Sequence, residues 1–296
     1  SNSELADNAI LALNEAGVTT ILSVKEGKVN RKPQPPFTTD TLLRTASSRL
    51  GWSIARINRV ATSLYQSGHI TYIRTDSTRT SESARKRIRK IIDKEYGEEF
   101  LGPGILGKDA KKGAKNVQDA HEAIRPTSPE SKSLDDGEKD QQSLYRLIWA
   151  RFAASQMSDS IRERRDLTSS VENLEKNLYG TASWRIHAGW EAVYSDSDSN
   201  PRTEPPTSGL EKGSVWKFSP AKDNPRIITD ETKPPRRFSE SSIIQAMKNA
   251  SIGRPSTYLT TVTKLINREY VIKDGASLSP SKNGRTLWLE VAPFYN

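Results

Sequence analysis

The sequence predicts an α+β protein of several domains, with a mainly helical middle part inserted between two β-rich flanks. Its 296 residues are enough for about two domains. Apolar residues recur at helical spacing through the middle of the chain, whereas short alternating segments of the strand type prevail after Leu167. Loops rich in proline, glycine, serine and lysine separate these regions. The change from β to α and back indicates that one domain is inserted within another.

The N-terminal flank predicts one helix and one strand. Residues 4–16 carry an apolar stripe at helical spacing, and Gly17 is suited to ending that helix. Val18–Lys25 alternates as a strand does. The proline-rich, basic stretch Asn30–Pro36 then indicates a domain crossing.

Two predicted helices joined by a tight turn come next. Thr39 is predicted to cap the first helix, which ends at Gly51. Ser53 is predicted to cap the second, which ends at Gly68. A predicted strand with Tyr72 follows directly. This order is that of a helix-turn-helix or winged-helix unit, which often binds DNA, although an ordinary helical hairpin is at least as common.

A third helix is predicted after this strand, capped by Thr80 or Ser81 and ended by Gly97. Its exposed face is basic, which suits a phosphate backbone or, equally simply, a solvated surface. After two polar loops, Gln142–Met157 predicts a strongly apolar helix.

The second flank is predicted to be β-rich, with a polar loop inside it. Ala182–Ala188 and Val215–Phe218 alternate as strands, and Ser195–Gly213 between them predicts a long loop. Two further helices are predicted near the C-terminus, at Glu240–Asn249 and Thr257–Arg268.

Composition narrows the classes of function. Lys and Arg number 45 against 36 Asp and Glu, so the net charge is +9 and a polyanionic partner is favoured over a merely soluble basic protein. Cysteine is absent, which excludes disulfides, zinc–thiolate sites and thiol nucleophiles. With only 3 histidines, a histidine-rich metal site is not expected. No apolar run is long enough for a membrane span.

The segment His69–Ser77 reads HITYIRTDS and places a tyrosine two residues before an arginine. Residues i and i+2 of a strand face the same side, so Tyr72 and Arg74 can face one phosphate. A phenol has a pKa of about 10, and a cation on the phosphate helps it to attack. This pair suits phosphodiester transesterification. The alternative is that Tyr72 is a half-buried packing residue with a polar tip and that Arg74 is merely solvated.

Four segments, in this order, resemble signatures of the type IA DNA topoisomerases. ITYIRTDS at residues 70–77 resembles the motif of the active-site tyrosine, and AHEAIRPT at 120–127 resembles the second signature. LYRLIWARFAASQM at 144–157 is similar to the helix that leaves the tyrosine domain. GRPSTY at 253–258 resembles the downstream DNA-binding segment. The resemblance covers nearly the whole chain.

The resemblance implies a three-part arrangement. A mainly α tyrosine domain with a winged-helix-like element, residues 33–157, is inserted in a β-rich arch made of residues 1–32 and 158–235. Residues 236–296 form a partial helical segment that binds single-stranded DNA. Family members begin with a Toprim domain, which holds Mg²⁺ on an acidic cluster, and the resemblance implies a central fragment without it.

The resemblance also implies the activity. Tyr72 would attack a phosphodiester of single-stranded DNA, forming a 5′-phosphotyrosine and a free 3′-hydroxyl that later reverses the reaction without ATP and so relaxes negative supercoils. Arg74 is expected to hold the scissile phosphate and His121 to contact it. No metal ligand or cofactor is expected in the fragment, since Mg²⁺ enters through the Toprim domain of the same full-length chain. The fragment alone is expected to be inactive, and the expected location is the bacterial cytoplasm, at the nucleoid.

Five residues are predicted to contact the DNA strand: Arg125, Arg254, Ser256, Thr257 and Arg268. A structural salt bridge is about as well suited to Arg125, and Ser256 is predicted to cap the helix that follows it. Core packing is favoured over base stacking for Tyr258 and Trp288. The alternative function is a winged-helix-like DNA-binding module without a nucleophile. A structural scaffold would leave the four motifs unexplained.

Overall fold

The computed structural model describes residues 2–107, 121–197, 210–218 and 226–295. The structure is mixed α/β, as predicted, and divides into two compact units. The first unit comprises Ser1–Lys32 and Asp159–Pro234, and the second comprises Pro33–Ser158 and Pro235–Asn296. The division into three parts, with residues 236–296 separate, stays a prediction.

The first unit is built on a four-stranded antiparallel sheet. Helix α1 (Asn2–Ala16) ends at Gly17, whose φ of 61° is the left-handed conformation predicted for a helix-ending glycine. The strands of the sheet are β1 (Val18–Arg31), β2 (Ser160–Ser170), β3 (Leu178–His187) and β4 (Val215–Lys217). Their order in the sheet is β3-β2-β1-β4.

Strand β1 is longer than predicted. It continues past Lys25 because β2 pairs with it as far as Arg31, opposite Ser160. The predicted connector Asn30–Pro36 therefore begins inside the sheet. After β3, a 3₁₀ helix occupies Gly189–Ser197, and residues 198–209 of the predicted polar loop lie outside the described residues.

The second unit is mainly helical. Its helices are α2 (Thr39–Leu50), α3 (Ile54–Gln66), α4 (Glu82–Tyr96), α5 (Lys139–Ala154), α6 (Glu240–Asn249), α7 (Tyr258–Asn267) and α8 (Lys282–Thr286). Helix α5 packs on α3 and completes the core, in which Leu144, Ile148 and Phe152 are completely buried. Helix α6 packs on α2, and α7 packs on α3.

Most helix ends follow the predicted capping chemistry. The Ser53 hydroxyl accepts the Arg56 N–H at 3.3 Å, and Gly51 ends α2 with a φ of 68°. Two caps are displaced by one residue: Thr38, not Thr39, caps α2, and Thr257, not Ser256, caps α7. The prediction that Ser256 begins α7 is therefore wrong.

The C-terminal part contains elements that the sequence did not predict. A hairpin joins β5 (Val271–Asp274) to β6 (Ser277–Pro280). A π-helical turn (Leu287–Val291) and a 3₁₀ turn (Ala292–Tyr295) follow α8. Within the described ranges, no helix has the length and apolar character needed to cross a bilayer.

The predicted strand around Tyr72 is not a regular strand. Ile70 forms a single bridge with Pro126, and the Thr71 N–H donates to the Arg125 carbonyl at 2.9 Å. The Thr127 N–H donates to the His69 carbonyl at 3.0 Å on the other side of this bridge. The ladder goes no further because the Arg125 N–H donates to the Thr71 hydroxyl, and the His69 N–H to the Leu64 carbonyl, instead of to the facing carbonyls. The segment around Tyr72 is thus extended and held partly by hydrogen bonds of the Thr71 side chain, and it is not the regular strand expected for a winged-helix unit.

Candidate active site

The segment that carries Tyr72 and Arg74 alternates in burial. Ile73 and Thr75 are buried in the core of the second unit. Tyr72 is half-buried and Arg74 is exposed. The two side chains predicted to face one phosphate are therefore the ones that solvent reaches, although the segment is extended rather than a strand.

The start of α2 holds this segment from one side. The Thr39 N–H donates to the Thr75 carbonyl at 2.9 Å. The Thr39 hydroxyl donates to the Ile73 carbonyl at 2.7 Å and accepts the Thr75 N–H at 2.9 Å. Backbone groups on both sides of Arg74 are thus bound by one buried residue of a helix.

The segment that carries His121 holds it from the other side. The Thr71 hydroxyl donates to the Ala123 carbonyl at 2.7 Å, and the Thr127 N–H donates to the His69 carbonyl at 3.0 Å. The carbonyl of Phe37, a completely buried residue, accepts the Ile124 N–H at 2.8 Å. Three stretches that are distant in sequence are therefore joined at the site by hydrogen bonds to backbone carbonyls.

The Tyr72 ring lies between two other rings. The His121 ring is 4.6 Å away between centroids, at an interplanar angle of 49°. The Tyr65 ring meets it edge to face at 5.3 Å. The structure thus brings Tyr72 and the exposed His121 together. Sequence reasoning missed this contact of Tyr65. The glycine at position 68, where the chain reverses with a φ of 73°, was the available signal.

Glu122, next to His121, is the centre of a small polar network. Its carboxylate accepts the Arg125 Nε–H at 2.7 Å and the Ser81 N–H at 3.0 Å. Burial alone raises the pKa of the Glu122 carboxyl, but the hydrogen bond and charge of Arg125, with the Ser81 N–H, lower it below its ordinary value. Glu122 is therefore a fixed anion that orders the turn after His121.

The Arg125 guanidinium is largely bound by protein acceptors. Besides Glu122, it donates to the Pro126 carbonyl at 2.9 Å and to the Ser81 hydroxyl at 3.3 Å. Its side chain is 11% exposed. These contacts support the salt-bridge interpretation, and the DNA contact of Arg125 stays a prediction.

The basic face of α4 is mostly used by the protein itself. The Arg89 guanidinium donates to the Gly102 carbonyl at 2.8 Å, and Arg87 donates to Glu130 at 2.6 Å. Arg85 binds the Thr80 carbonyl and Lys86 binds Glu82. Arg74, by contrast, has no hydrogen-bond or ion-pair partner within the described residues. Its charge is available to an external anion.

The other predicted DNA contacts lie on the surface around α7. Arg254, Ser256, Thr257 and Arg268 are all exposed. The Thr257 hydroxyl accepts the Arg254 N–H at 2.8 Å and so orders the turn before the helix. The DNA-binding roles of these four residues stay predictions.

Tyr258 connects this turn to the tyrosine segment. It is buried, as predicted, and burial raises the pKa of its phenol, to which the negative charges of Asp40 and Asp76 add. These carboxylates belong to α2 and to the segment after Arg74. Trp288 is 73% exposed, so the prediction that it packs in the core is wrong.

The described residues do not fit a resident metal ion. They contain no group of three or more His, Cys, Asp or Glu side chains placed to hold one. Asp40 is buried, but its Oδ1 is bound by the Lys248 ammonium at 2.7 Å. No catalytic step is therefore assigned to a metal on these residues.

Comparison with known proteins gives consistent matches. A family model described as DNA topoisomerase matches residues 1–295. DNA topoisomerase 1 of Thermotoga maritima is 37% identical over 274 residues, covering 88% of this chain and 41% of that protein. DNA topoisomerase 1 of Zymomonas mobilis is 35% identical over 284 residues, covering 95% of this chain and 23% of that protein.

A solved structure agrees with these sequence matches. Full-length topoisomerase I from Thermotoga maritima, in a monoclinic crystal form, is similar with a TM-score of 0.76 and 33% identity. The match covers 93% of this chain and 45% of that one. The chain thus spans less than half the length of the relatives it matches.

Proposed function

Because the chain belongs to the DNA topoisomerase family, we propose that it carries the strand-cleaving part of a type IA enzyme, with Tyr72 as the nucleophile. One observation carries the proposal: the accessible Tyr72 ring lies 4.6 Å from the His121 ring, two residues before Arg74, whose exposed guanidinium has no hydrogen-bond or ion-pair partner among the described residues. A tyrosine with a purely structural role has no need of an exposed imidazole beside it and an exposed arginine two residues further on.

The chemical step exchanges one phosphodiester for another. The Tyr72 oxygen attacks a backbone phosphorus of single-stranded DNA, a new P–O bond forms to the phenol, and the bond to the 3′ oxygen breaks. The phenol loses its proton and the 3′ oxygen gains one, so the products are a 5′-phosphotyrosine and a 3′-hydroxyl. Attack by that hydroxyl reverses the step, which needs no ATP because the phosphodiester energy is kept.

Arg74 and His121 act on the phosphate in this proposal. The permanently charged fork of Arg74 suits two phosphate oxygens and stabilises the charge that develops on them. Removing a positioned donor of this kind costs about 2.7–4 kcal/mol of barrier. His121, exposed beside the phenol, would contact the same phosphate.

The remaining parts of the function come from outside the described site. We propose that a Toprim domain of the same full-length chain supplies the acidic residues that hold Mg²⁺, and that these 296 residues alone do not relax supercoiled DNA. The exposed Arg254, Ser256, Thr257 and Arg268 would bind the DNA strand near the cleavage point. Relaxation of negative supercoils in the bacterial nucleoid is the proposed role of the whole enzyme.

A covalent trapping experiment tests the nucleophile. The chain is mixed with a separately produced Toprim domain of a relative, Mg²⁺ and end-labelled single-stranded DNA, and denatured to reveal DNA bound to protein. We expect an adduct with the unaltered chain and none with Tyr72→Phe. Tyr65→Phe is the matched control, since it removes the hydroxyl of the neighbouring tyrosine and keeps the contact between the two rings.

Two results would contradict the proposal. An adduct that survives Tyr72→Phe would remove Tyr72 from the nucleophile role. Salt-dependent DNA binding with no adduct under any condition would favour the alternative, a DNA-binding module built on the helix pair α2 and α3.

A further inference from the structure

We propose that Thr39 is a positioning residue for strand cleavage, which fixes the backbone from which Arg74 reaches the phosphate. This inference rests on the proposed function of Tyr72 and Arg74. In this proposal Thr39 acts through the backbone of Ile73 and Thr75, to which its side chain is hydrogen-bonded.

Thr39 makes several hydrogen bonds, and they go to the two residues that flank Arg74. Its side-chain oxygen lies 2.7 Å from the Ile73 carbonyl, 3.0 Å from the Thr75 carbonyl and 2.9 Å from the Thr75 nitrogen. Its own N–H donates to the Thr75 carbonyl at 2.9 Å. Thr39 is 8% exposed, so water does not readily replace these bonds. One residue therefore binds the peptide groups on both sides of Arg74.

Thr39 is itself firmly held. It is the first residue of α2, directly after the Thr38 cap. The next residue, Asp40, accepts hydrogen bonds from the Thr38 hydroxyl and the Lys248 ammonium, both at 2.7 Å. Through its hydrogen bonds to Ile73 and Thr75, Thr39 therefore fixes the segment of Tyr72 and Arg74 to the capped start of α2.

The position of the Arg74 side chain depends on these backbone hydrogen bonds more than that of an ion-paired arginine would. With no partner for its guanidinium in the described part of the chain, its position before DNA binds is set by its backbone. A displacement of about 1 Å in a positioning group can cost about 100-fold in rate. Loosening the peptide groups beside Arg74 is therefore expected to slow cleavage.

Three single variants test the inference in the adduct assay. Thr39→Val removes the hydroxyl and keeps the shape, and Thr39→Ser keeps the hydroxyl. Thr41→Val is the matched control, because the Thr41 hydroxyl also makes hydrogen bonds at the start of α2, to the Thr38 N–H at 2.8 Å, but none to Ile73 or Thr75.

We expect Thr39→Val to slow adduct formation by about 10- to 100-fold, and Thr39→Ser and Thr41→Val to stay within about 3-fold of the unaltered chain. Thr39→Val should add little to Arg74→Ala, since both act through one guanidinium. Hydrogen exchange in residues 73–75 should speed up in Thr39→Val and stay slow in Thr41→Val.

Several outcomes would overturn the inference. Equal slowing by Thr41→Val, or full additivity with Arg74→Ala, would show a general effect on α2. Rapid exchange of the Thr75 amide in the unaltered chain would overturn it even if Thr39→Val fails to fold. If Tyr72→Phe abolishes the adduct while Thr39→Val forms it normally, only this inference fails; if Tyr72→Phe retains the adduct, the proposed function fails.

Discussion

Replacing Arg125 by methionine separates the two interpretations of that residue. If it is mainly a salt-bridge partner of Glu122, Arg125→Met destabilises the fold and leaves the salt dependence of DNA binding unchanged. If it is mainly a phosphate contact, the fold keeps its stability and the slope of log K against log salt becomes less steep by about one.

The structure sets the expected loss. The side chains of Arg125 and Glu122 are 11% and 30% exposed, so their pair lies between an exposed one, which contributes about 0–1 kcal/mol, and a buried one, whose disruption costs about 3–5 kcal/mol. Arg125 also donates to Pro126 and Ser81. We expect Arg125→Met to lower the free energy of unfolding by about 2 kcal/mol at neutral pH.

The loss should depend on pH with a definite sign. The pKa of Glu122 is lowered in the folded protein, so the ion pair contributes fully above the unfolded pKa of about 4.3. That contribution disappears as the pH falls through the lower folded value. The difference in stability between Arg125→Met and the unaltered chain should therefore shrink in acid.

The measurement is urea unfolding at neutral and acidic pH, with single-stranded DNA binding at several salt concentrations. Arg87→Met is the control, since the Arg87–Glu130 pair is exposed, at 46% and 52%, and should contribute less than about 1 kcal/mol. An Arg125→Met protein that is fully stable and has a less steep salt slope would refute the salt-bridge reasoning.

Two further predictions concern aromatic residues. Tyr65→Leu removes the edge-to-face contact with Tyr72 and should slow adduct formation by about 10-fold. The thermal unfolding midpoint should change little, because Tyr65 is 42% exposed. An unchanged rate would show that the contact is incidental. Burial, and secondarily the charge of Glu130, raises the pKa of Tyr145 to about 12, so the unfolded chain ionises first and stability should fall from about pH 10 to about pH 12. Urea unfolding of Tyr145→Phe should show a smaller fall in that range, and an equal fall would contradict the assignment.

Local sequence signals predicted the helices well. Ser53 before an apolar stripe located the start of α3, and the helix predicted at Glu240–Asn249 has the bounds of α6. The order of β and α regions likewise predicted the mixed α/β character and strands in both flanks, but not β2, most of which precedes the predicted β region at Leu167. These features depend on neighbouring residues, which the sequence displays directly.

Features that depend on distant partners were beyond the sequence. The regular strand expected at Tyr72 fails because the Arg125 N–H donates to the Thr71 hydroxyl and not to the Thr71 carbonyl, a contact between residues far apart in sequence. The basic face of α4 resembles a phosphate surface, yet its charges meet Glu130 and the Gly102 carbonyl. Strand spacing paired Tyr72 with Arg74, whereas His121 joined them only through family resemblance, since spacing alone does not bring His121 to the phenol.

The hydrogen bonds that join Phe37 to Ile124 and His69 to Thr127 also govern when the site can form. On the ribosome, Tyr72 and Arg74 emerge well before the stretch that must lie beside them. Until Thr127 has left the exit tunnel, the Tyr72 segment is held on one side only and its ring lacks the His121 neighbour. A chain that ends before this point would therefore lack the assembled candidate site.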